Sequence, residues 1–571
     1  ARGTRRPPLP RPHSARLQSS RALGPKLAGD SAGDSPLRAT DNRCQAEPIR
    51  ATGTTAQQQA TKVHLPVSHA AAMGNDYSRI QRRAFPQSAF VVAFRQPDHL
   101  LVLNAEPALL QQLRQAVSAN WRGGVRSEKK YPLGVELRLD KEPFDSEVHP
   151  ADRLVPIYRL VTALLKLLLD RGCTLLASGA VVRGVERSAW LLRKASDLCP
   201  ARDVELLTVA MEDWGKLLLI NSPAALSTAL MAKLKEVWPK GVELVSEEPT
   251  YFAMELGEQP WDSYKSASER SPLIVLEVTR LLLAHGYSFL AATHARGSMD
   301  CLTFVKSTFP ASDCQDEQPA VDDGLFVLSL NQRDQLRLYA APQEVRECVE
   351  KFAATSWESG VLRSEASAGD LLQSVQLKSS PWFVPDWDKD AAFCAREFIQ
   401  ELLRELRSKG WQIAVKADIY RSAYDKSLLV LRRNSAQQSL PHLSVTTHDV
   451  NRLCVLGATE SLKAELVNDV KDAWSRGHRC EAFESASGWT VEFSFDRKPW
   501  QWDPEAPLTN LEGFGLVATL IDVLQQRGWH VETSLDICSS SKFSPSTIIL
   551  SLELPDARPL QVTQGSTMQQ N

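Results

Sequence analysis

An internal repeat is the sequence feature that most constrains this fold. The pattern Trp-x-x-Gly occurs four times, and successive tryptophans lie 117, 119 and 117 residues apart: Trp121, Trp238, Trp357 and Trp474. A second anchor, proline followed by an aromatic residue, recurs with nearly the same period at Phe144, Trp261, Trp382 and Trp500. A third anchor is a glycine at the end of an apolar segment: Gly172, Gly286, Gly410 and Gly528. Three anchors with one period predict four tandem copies of one module.

Within each copy the apolar residues predict a fixed order of elements. A hairpin with aspartate in its turn comes first, and a helix follows that leads into the tryptophan. An alternating segment such as Val135–Leu139 predicts a half-buried strand, and a second helix such as Glu397–Leu406 ends at the repeated glycine. Two strands close the copy, as in Trp529–Ile537 and Thr547–Leu554. The expected fold is therefore α+β, four tandem β-β-α-β-α-β-β modules of about 110–120 residues, each large enough for its own core.

The repeat period also predicts the domain boundaries. Residues 1–72 carry eleven Lys or Arg against four Asp or Glu, are rich in Pro and Ser, and show no hydrophobic period. Such a segment cannot bury a core, so we expect disorder there and in the C-terminal tail. The predicted division is a disordered segment 1–84, repeats 85–196, 197–308, 309–434 and 435–556, and a disordered tail 557–571.

The sequence Met73–Ser78 matches the pattern for N-myristoylation of Gly74. In one interpretation Met73 is the true start, Gly74 is acylated, and nearby arginines supply the second signal that stable membrane attachment requires. In another, residues 1–72 are an authentic disordered tail and the motif is accidental. In a third, residues 1–29, which contain no acidic residue, are a mitochondrial transit peptide. We expect a cytoplasmic protein with peripheral membrane contact, or a mitochondrial one in the third interpretation.

Composition and motifs exclude several classes of function. With 66 basic and 68 acidic residues, the chain lacks the positive charge of a general nucleic-acid-binding protein. The ten cysteines are scattered without a C-x-x-C pair, which argues against a zinc site. The glycine-rich phosphate loop and H-E-x-x-H motifs do not occur. We therefore predict no metal, no cofactor and no catalytic residue.

Two sets of residues outside the core pattern are candidates for binding. Trp382 and Trp500 fall in predicted loops, where aromatic rings can anchor a partner or can cap the sheet. Asp418 and Asp536 each lie eight residues after the repeated glycine, where the first two copies have other residues. They can form a polar ligand site, or they can stabilise hairpin turns. We interpret the repeated tryptophans and glycines as structural.

The favoured hypothesis is a non-enzymatic interaction or scaffold protein. Four divergent copies of one fold give several surfaces on one chain, and multivalency raises avidity without new chemistry. The expected partners are proteins, with a membrane contact if Gly74 is acylated. The other hypothesis is an enzyme or small-ligand-binding protein with a site in repeats 3 and 4.

Overall fold

The computed structural model describes residue 85 and residues 88–145, 151–183, 186–194, 204–296, 299–307, 324–367, 371–385, 388–420, 426–434, 439–474, 476–485, 487–538 and 546–552. These residues all belong to one compact unit, Pro66–Asn571. The segment 1–84 with the Gly74 motif, and the tail 557–571, lie outside the described residues.

Four repeats follow one another, each with six strands and two main helices. Repeat 1 contains β1 Ala89–Arg95, β2 His99–Leu103, α1 Pro107–Asn120, β3 Val125–Tyr131, β4 Gly134–Leu139, α2 Ala151–Asp170, β5 Thr174–Gly179 and β6 Glu186–Arg193. Repeat 2 contains β7 Val204–Glu212, β8 Lys216–Ile220, α3 Ala224–Val237, β9 Val242–Glu248, β10 Tyr251–Leu256, α4 Ser271–Ala284, β11 Ser288–Thr293 and β12 Cys301–Ser307. A short 3₁₀ helix, Ser266–Arg270, precedes α4.

Repeats 3 and 4 have the same order. Repeat 3 contains β13 Leu325–Asn331, β14 Gln335–Tyr339, α5 Gln343–Ser356, β15 Val361–Ala366, β16 Leu372–Leu377, α6 Lys389–Ser408, β17 Trp411–Ala417 and β18 Leu428–Arg433. Repeat 4 contains β19 His442–His448, β20 Arg452–Ala458, α7 Glu460–Ala473, β21 His478–Ser485, β22 Gly488–Phe495, α8 Pro507–Gln526, β23 Trp529–Leu535 and β24 Thr547–Leu552.

The predicted α+β fold in four tandem copies is confirmed, but each copy contains one strand more than predicted. The observed order is β-β-α-β-β-α-β-β, and the missed strand directly follows the Trp-x-x-Gly turn. In β3 the residues from Arg126 to Lys130 are all exposed. A strand that is exposed on both faces has no apolar alternation, which is the signal that identifies half-buried strands.

Each repeat folds into one antiparallel sheet with the same strand order. In repeat 1 the order is β3-β4-β2-β1-β6-β5, and the other three sheets repeat it. The strand at one edge, β5, β11, β17 or β23, is called the inner strand below, and the strand at the other edge, β3, β9, β15 or β21, the outer strand. Every inner strand has a register shift four residues after the repeated glycine, at Leu176, Leu290, Ala414 and Glu532.

The repeated glycines and tryptophans end helices. The glycine before each inner strand has a positive φ of 72° to 88°, a left-handed conformation that glycine adopts without a steric penalty. The tryptophan after each first helix is buried, and its indole N–H donates to a backbone carbonyl, as from Trp121 to Asp140 at 2.8 Å and from Trp357 to Lys378 at 2.9 Å. Both features belong to the scaffold of the repeat.

The repeats close into a ring. The second helix of each repeat packs on the first strand of the next one: α2 on β7, α4 on β13, and α6 on β19. The last helix, α8, packs on β1 of the first repeat. Four large hydrophobic cores are accordingly shared between neighbours, in the pairs 1–2, 2–3, 3–4 and 4–1. Each sheet is therefore covered by helices on both faces, which explains why β1, β13 and β19 are buried along their whole length.

The inner strands complete the closure. β5 contacts β11 and β23, and β17 contacts the same two strands. Four strands that touch in this cyclic order surround a common centre. At this centre the backbone of Gly179 lies so close to repeat 4 that an added Cβ would be 2.3 Å from Ser534 Oγ.

Within the part of the chain that the structure describes, one helix has the length and apolar composition of a membrane-spanning segment. This helix is α8, and 72% of its apolar stretch is buried inside the protein. The helix lies between its own strand β23 and β1 of repeat 1, so its apolar side chains fill the core that joins the two ends of the ring.

Candidate functional site: the joints and outer strands of the ring

The loop aromatics Trp382 and Trp500 lie inside the protein. Both side chains are fully buried, as are those of their counterparts Phe144 and Trp261. The backbone N–H of each donates to a carbonyl in or beside the turn of the first hairpin, as from Trp382 to Arg333 at 3.0 Å. The Trp382 indole N–H donates to Gln335 O at 3.1 Å. In this structure neither tryptophan offers a ring face to a partner, and both pack beneath the hairpin turn.

Asp418 and Asp536 lie at two different joints between repeats, where their backbones make matching contacts. The Asp300 N–H donates to Asp418 O at 2.8 Å, and the Asp418 N–H donates to Asp300 Oδ2 at 2.7 Å. At the next joint the Ser427 N–H donates to Asp536 O at 3.2 Å, and the Asp536 N–H donates to Ser427 Oγ at 3.0 Å.

A third joint, between repeats 4 and 1, repeats this clasp. The Ser546 N–H donates to Ala180 O at 2.9 Å, and the Ala180 N–H donates to Ser546 Oγ at 3.1 Å. In all three clasps the residue after an inner strand contributes its backbone, and the residue before the last strand of the preceding repeat contributes a short polar side chain. The clasp therefore explains why the first position accepts aspartate or alanine.

Sequence reasoning missed the side chains that complete the clasps. Asp300, Ser427 and Ser546 each lie immediately before the last strand of a repeat. A signal was present, since a short side chain with an oxygen acceptor stands there in repeats 2, 3 and 4. The sequence alone did not show that this position faces another repeat, so the pattern could not be interpreted.

The clasp between repeats 2 and 3 also contains a buried cluster of charges. Asp300 accepts from Lys416 Nζ at 2.8 Å, and His294 Nε2 lies 3.1 Å from its other oxygen. Burial by itself would raise the pKa of Asp300, but His294 and Lys416 outweigh it and hold that pKa below its usual range. The Asp300 carboxylate of repeat 2 thus pairs with Lys416 of repeat 3, and this contact joins the two repeats.

At two other joints the last residue of the first strand is a buried charged residue with a polar partner. Between repeats 1 and 2, the Tyr158 hydroxyl donates to Glu212, which also accepts from Arg296 Nη1 at 2.9 Å. At the joint of repeats 4 and 1, Arg95 at the end of β1 pairs with Glu136 on β4 of the same repeat at 2.6 Å. In both places the buried charge has a partner of opposite sign.

The outer strands differ from the joints in almost every respect. Along β9, the exposed residues include Leu244 and Val245, at 47% and 52% of full exposure, and three glutamates. The strand β3 has two lysines and one arginine against one glutamate, and β15 has one charge of each sign. The four outer strands therefore share one backbone arrangement but present different charges.

Thiol and metal chemistry find no support among the described residues. Burial raises the pKa of the Cys301 and Cys454 thiols, so both stay protonated near neutral pH. In the part of the chain that the structure describes, no group of three or more His, Cys, Asp or Glu side chains is placed to hold a metal ion.

Comparison with known proteins identifies the repeat. Residues 88–193, 205–308, 325–432 and 441–551 match the model of one domain family, whose description states no activity or ligand. These segments cover about three quarters of the chain, and each contains one six-stranded sheet. No curated protein and no solved structure matches the chain significantly. The chain therefore belongs to this domain family and contains four consecutive copies of its domain.

Proposed function

We propose that this chain is a non-enzymatic interaction protein that binds extended segments of protein partners along the outer strands of its ring. The observation that carries the proposal is the contrast between the two edges of each sheet. The inner strands are enclosed by one another, whereas the outer strands end their sheets and are exposed on both faces. An exposed edge offers unpaired backbone N–H and C=O groups to which an extended peptide can add as a further strand.

The strand β9 is the most suitable of the four edges. It carries three glutamates, Glu243, Glu247 and Glu248, and no basic residue, so it attracts a positively charged segment. Exposed Leu244 and Val245 lie between these glutamates and supply apolar contact area. By comparison, lysines on an edge strand, as in β3, discourage strand addition. The proposed partner of β9 is therefore an extended segment that alternates apolar and basic residues.

Selection of peptides on the immobilised full chain tests this proposal. We expect the selected peptides to be rich in Lys and Arg, and to lose about tenfold or more in affinity for a Leu244→Lys/Val245→Lys variant, because both the apolar contact and the charge complementarity are reduced. The matched control is Leu362→Lys on β15, which leaves β9 intact. Equal binding to the β9 variant and to the control would contradict the proposal.

A second proposal concerns the location of the protein. The motif Met73–Ser78 supports acylation of Gly74, which would bring the ring to a membrane face where its edges meet membrane-bound partners. The test expresses the chain from Met73 in cells supplied with a labelled myristate analogue. We expect label and membrane partitioning in the parent chain and neither in Gly74→Ala. Unlabelled parent chain would overturn this proposal and leave the proposal for the outer strands untouched.

A further inference from the structure

Among the described residues, the joint between repeats 3 and 4 contains a buried cation that forms no ion pair with a carboxylate. Arg396 on α6 is 4% exposed, and its polar contact is with the imidazole of His448 at the end of β19, at 3.5 Å. Its Nε is buried and has no hydrogen-bond acceptor among the described residues. A buried arginine normally forms ion pairs, because removal of a charge from water costs several kcal/mol.

The imidazole of His448 adds a second orphan donor. Arginine only donates hydrogen bonds, so His448 Nδ1 must accept from Arg396, and the proton of the neutral ring lies on Nε2. This Nε2 is also buried and has no partner among the described residues. Burial, together with the charge of Arg396 and other nearby cations, lowers the pKa of His448 to about 3, so the ring is neutral near pH 7. A buried donor without an acceptor is costly, and here two occur on neighbouring side chains.

Among the described residues, the charges that act most strongly on His448 are all positive. Arg183 of repeat 1, Lys389 and Arg452 all act electrostatically on His448 together with Arg396. Both Lys389 and Arg452 bind one buried carboxylate, Glu492, whose single charge does not balance them. The side chains of Lys389 and Arg452 are 35% and 33% exposed, so this positive region reaches the solvent.

The equivalent places at the other joints show that the imbalance is particular to this joint. Arg396 lies fourteen residues before the repeated glycine, as do Tyr158, Pro272 and Phe514, and His448 corresponds to Glu212, Asn331 and Arg95. Tyr158 meets a carboxylate, Pro272 and Asn331 carry no charge, and Arg95 is paired with Glu136. The fold therefore does not require an unpaired arginine at this place.

We propose that Arg396 and His448, with the partly exposed Lys389 and Arg452 nearby, bind a phosphate-type oxyanion at the joint between repeats 3 and 4. An oxyanion supplies acceptors for the two orphan N–H donors and negative charge for the excess of cations. A multiply charged ion such as phosphate balances this excess of positive charge better than a singly charged carboxylate does. The site is separate from the outer strands, so its occupancy and the binding of partners at β9 are independent questions.

Calorimetric titration of the full chain with inorganic phosphate, at fixed ionic strength, tests the proposal. We expect binding by the parent chain and a loss of affinity of about tenfold or more in Arg396→Met, because the central charge-assisted hydrogen bonds are removed. The matched control, Arg404→Met, changes an exposed arginine on the same helix and should bind phosphate like the parent chain. A parent chain that does not bind phosphate, or an Arg396→Met variant that binds it equally well, would overturn the proposal.

Two further measurements keep the test decisive. If Arg396→Met does not fold, Lys389→Met and Arg452→Met, which change partly exposed side chains, should each weaken phosphate binding measurably. Unchanged affinity in both would contradict the site.

Acetate serves as the comparison ion, and acetate affinity equal to that of phosphate would contradict the preference for a multiply charged oxyanion. A phosphomonoester such as AMP then shows whether the site takes free phosphate or a phosphoryl group on a larger molecule, since the latter should bind more tightly than phosphate.

Discussion

The inner and outer strands of each sheet have similar lengths and the same antiparallel pairing, yet they have opposite surroundings. An inner strand such as β17 contacts two other inner strands, carries a bulge and ends in a clasp to the preceding repeat. An outer strand such as β9 has one neighbouring strand and exposes its side chains on both faces. The position of a strand in the ring, and not its own pairing, therefore decides what its residues do.

This contrast shows how four divergent copies keep one architecture. At the clasps the contacts are made by backbone atoms on one side, so Asp418 and Ala180 can occupy equivalent positions. At the outer strands most side chains are exposed to solvent, and the charge changes from mostly basic in β3 to wholly acidic in β9. Three joints thus share one backbone clasp, whereas the outer strands differ in their charges.

The largest effect is expected for substitution of an enclosed aromatic residue, compared with substitution of an exposed one. Trp382→Ala should lower the free energy of unfolding by about 3–5 kcal/mol, because it opens a large cavity in the core of repeat 3. Trp214→Ala, at a side chain that is 42% exposed, should cost less than about 1 kcal/mol. Urea unfolding measures both values. Equal small losses would show that Trp382 is not a core residue.

The charged clasp between repeats 2 and 3 provides the next test. Lys416→Met should lower the free energy of unfolding by about 3 kcal/mol, because it leaves the buried carboxylate of Asp300 without its closest cation. The depressed pKa of Asp300 contributes stability above the usual carboxyl range, and that stability is lost as the pH falls through the folded-state value. The control, Lys233→Met, breaks an exposed pair with Glu236 and should cost less than about 0.5 kcal/mol by chemical denaturation.

The pH dependence of stability tests the buried His448 at the joint between repeats 3 and 4. The pKa of His448 is about 3 in the folded protein, well below the usual value for histidine, so unfolding takes up a proton between these values. Stability should therefore fall as the pH falls below about 6.5, by up to ~1.4 kcal/mol per pH unit from this group. His448→Asn, which copies Asn331 of repeat 3, should flatten the profile between pH 6.5 and 5. An unchanged profile would show that groups other than His448 cause the pH dependence. The control is His285→Asn, which changes an exposed histidine.

A smaller effect is expected for a single clasp contact. Ser546→Ala removes the hydroxyl that accepts from the Ala180 N–H, so the free energy of unfolding should fall by about 1 kcal/mol. The amide of Ala180 should also exchange with solvent faster, which hydrogen exchange measures at that residue. Ser222→Ala, at a partly exposed position before α3 of repeat 2, is the control and should leave the exchange of Ala180 unchanged. Unchanged exchange in Ser546→Ala would refute the clasp.

The smallest effect is expected at the outer strands. Leu362→Lys on β15 changes a side chain that is 58% exposed, so the free energy of unfolding should change by no more than about 0.5 kcal/mol. Thermal or urea unfolding measures this value. A loss comparable to that of Ser546→Ala would mean that this outer strand is covered in solution.

Most elements could be placed from the sequence because their patterns are local. The predicted strand Val135–Leu139 lies within β4, and the predicted helix Glu397–Leu406 lies within α6. The outer strands could not be found in this way, since exposed charged residues such as Arg126–Lys130 show no period. The sequence also singled out Asp418 and Asp536, but their surroundings depend on residues more than a hundred positions away, so no local pattern could show how they are used.

The sequence by itself determined the module and its number of copies. Glycine at the end of the second helix and tryptophan at the end of the first act through local backbone conformation and nearby packing, so they leave a signal that can be read along the chain. Only the tertiary structure decided that the four modules close into a ring. Closure depends on α8 packing on β1 and on contacts such as Ser546 with Ala180, which are far apart in sequence. The same long-range packing buries Arg396 against His448, because the second helix of one repeat covers the sheet of the next.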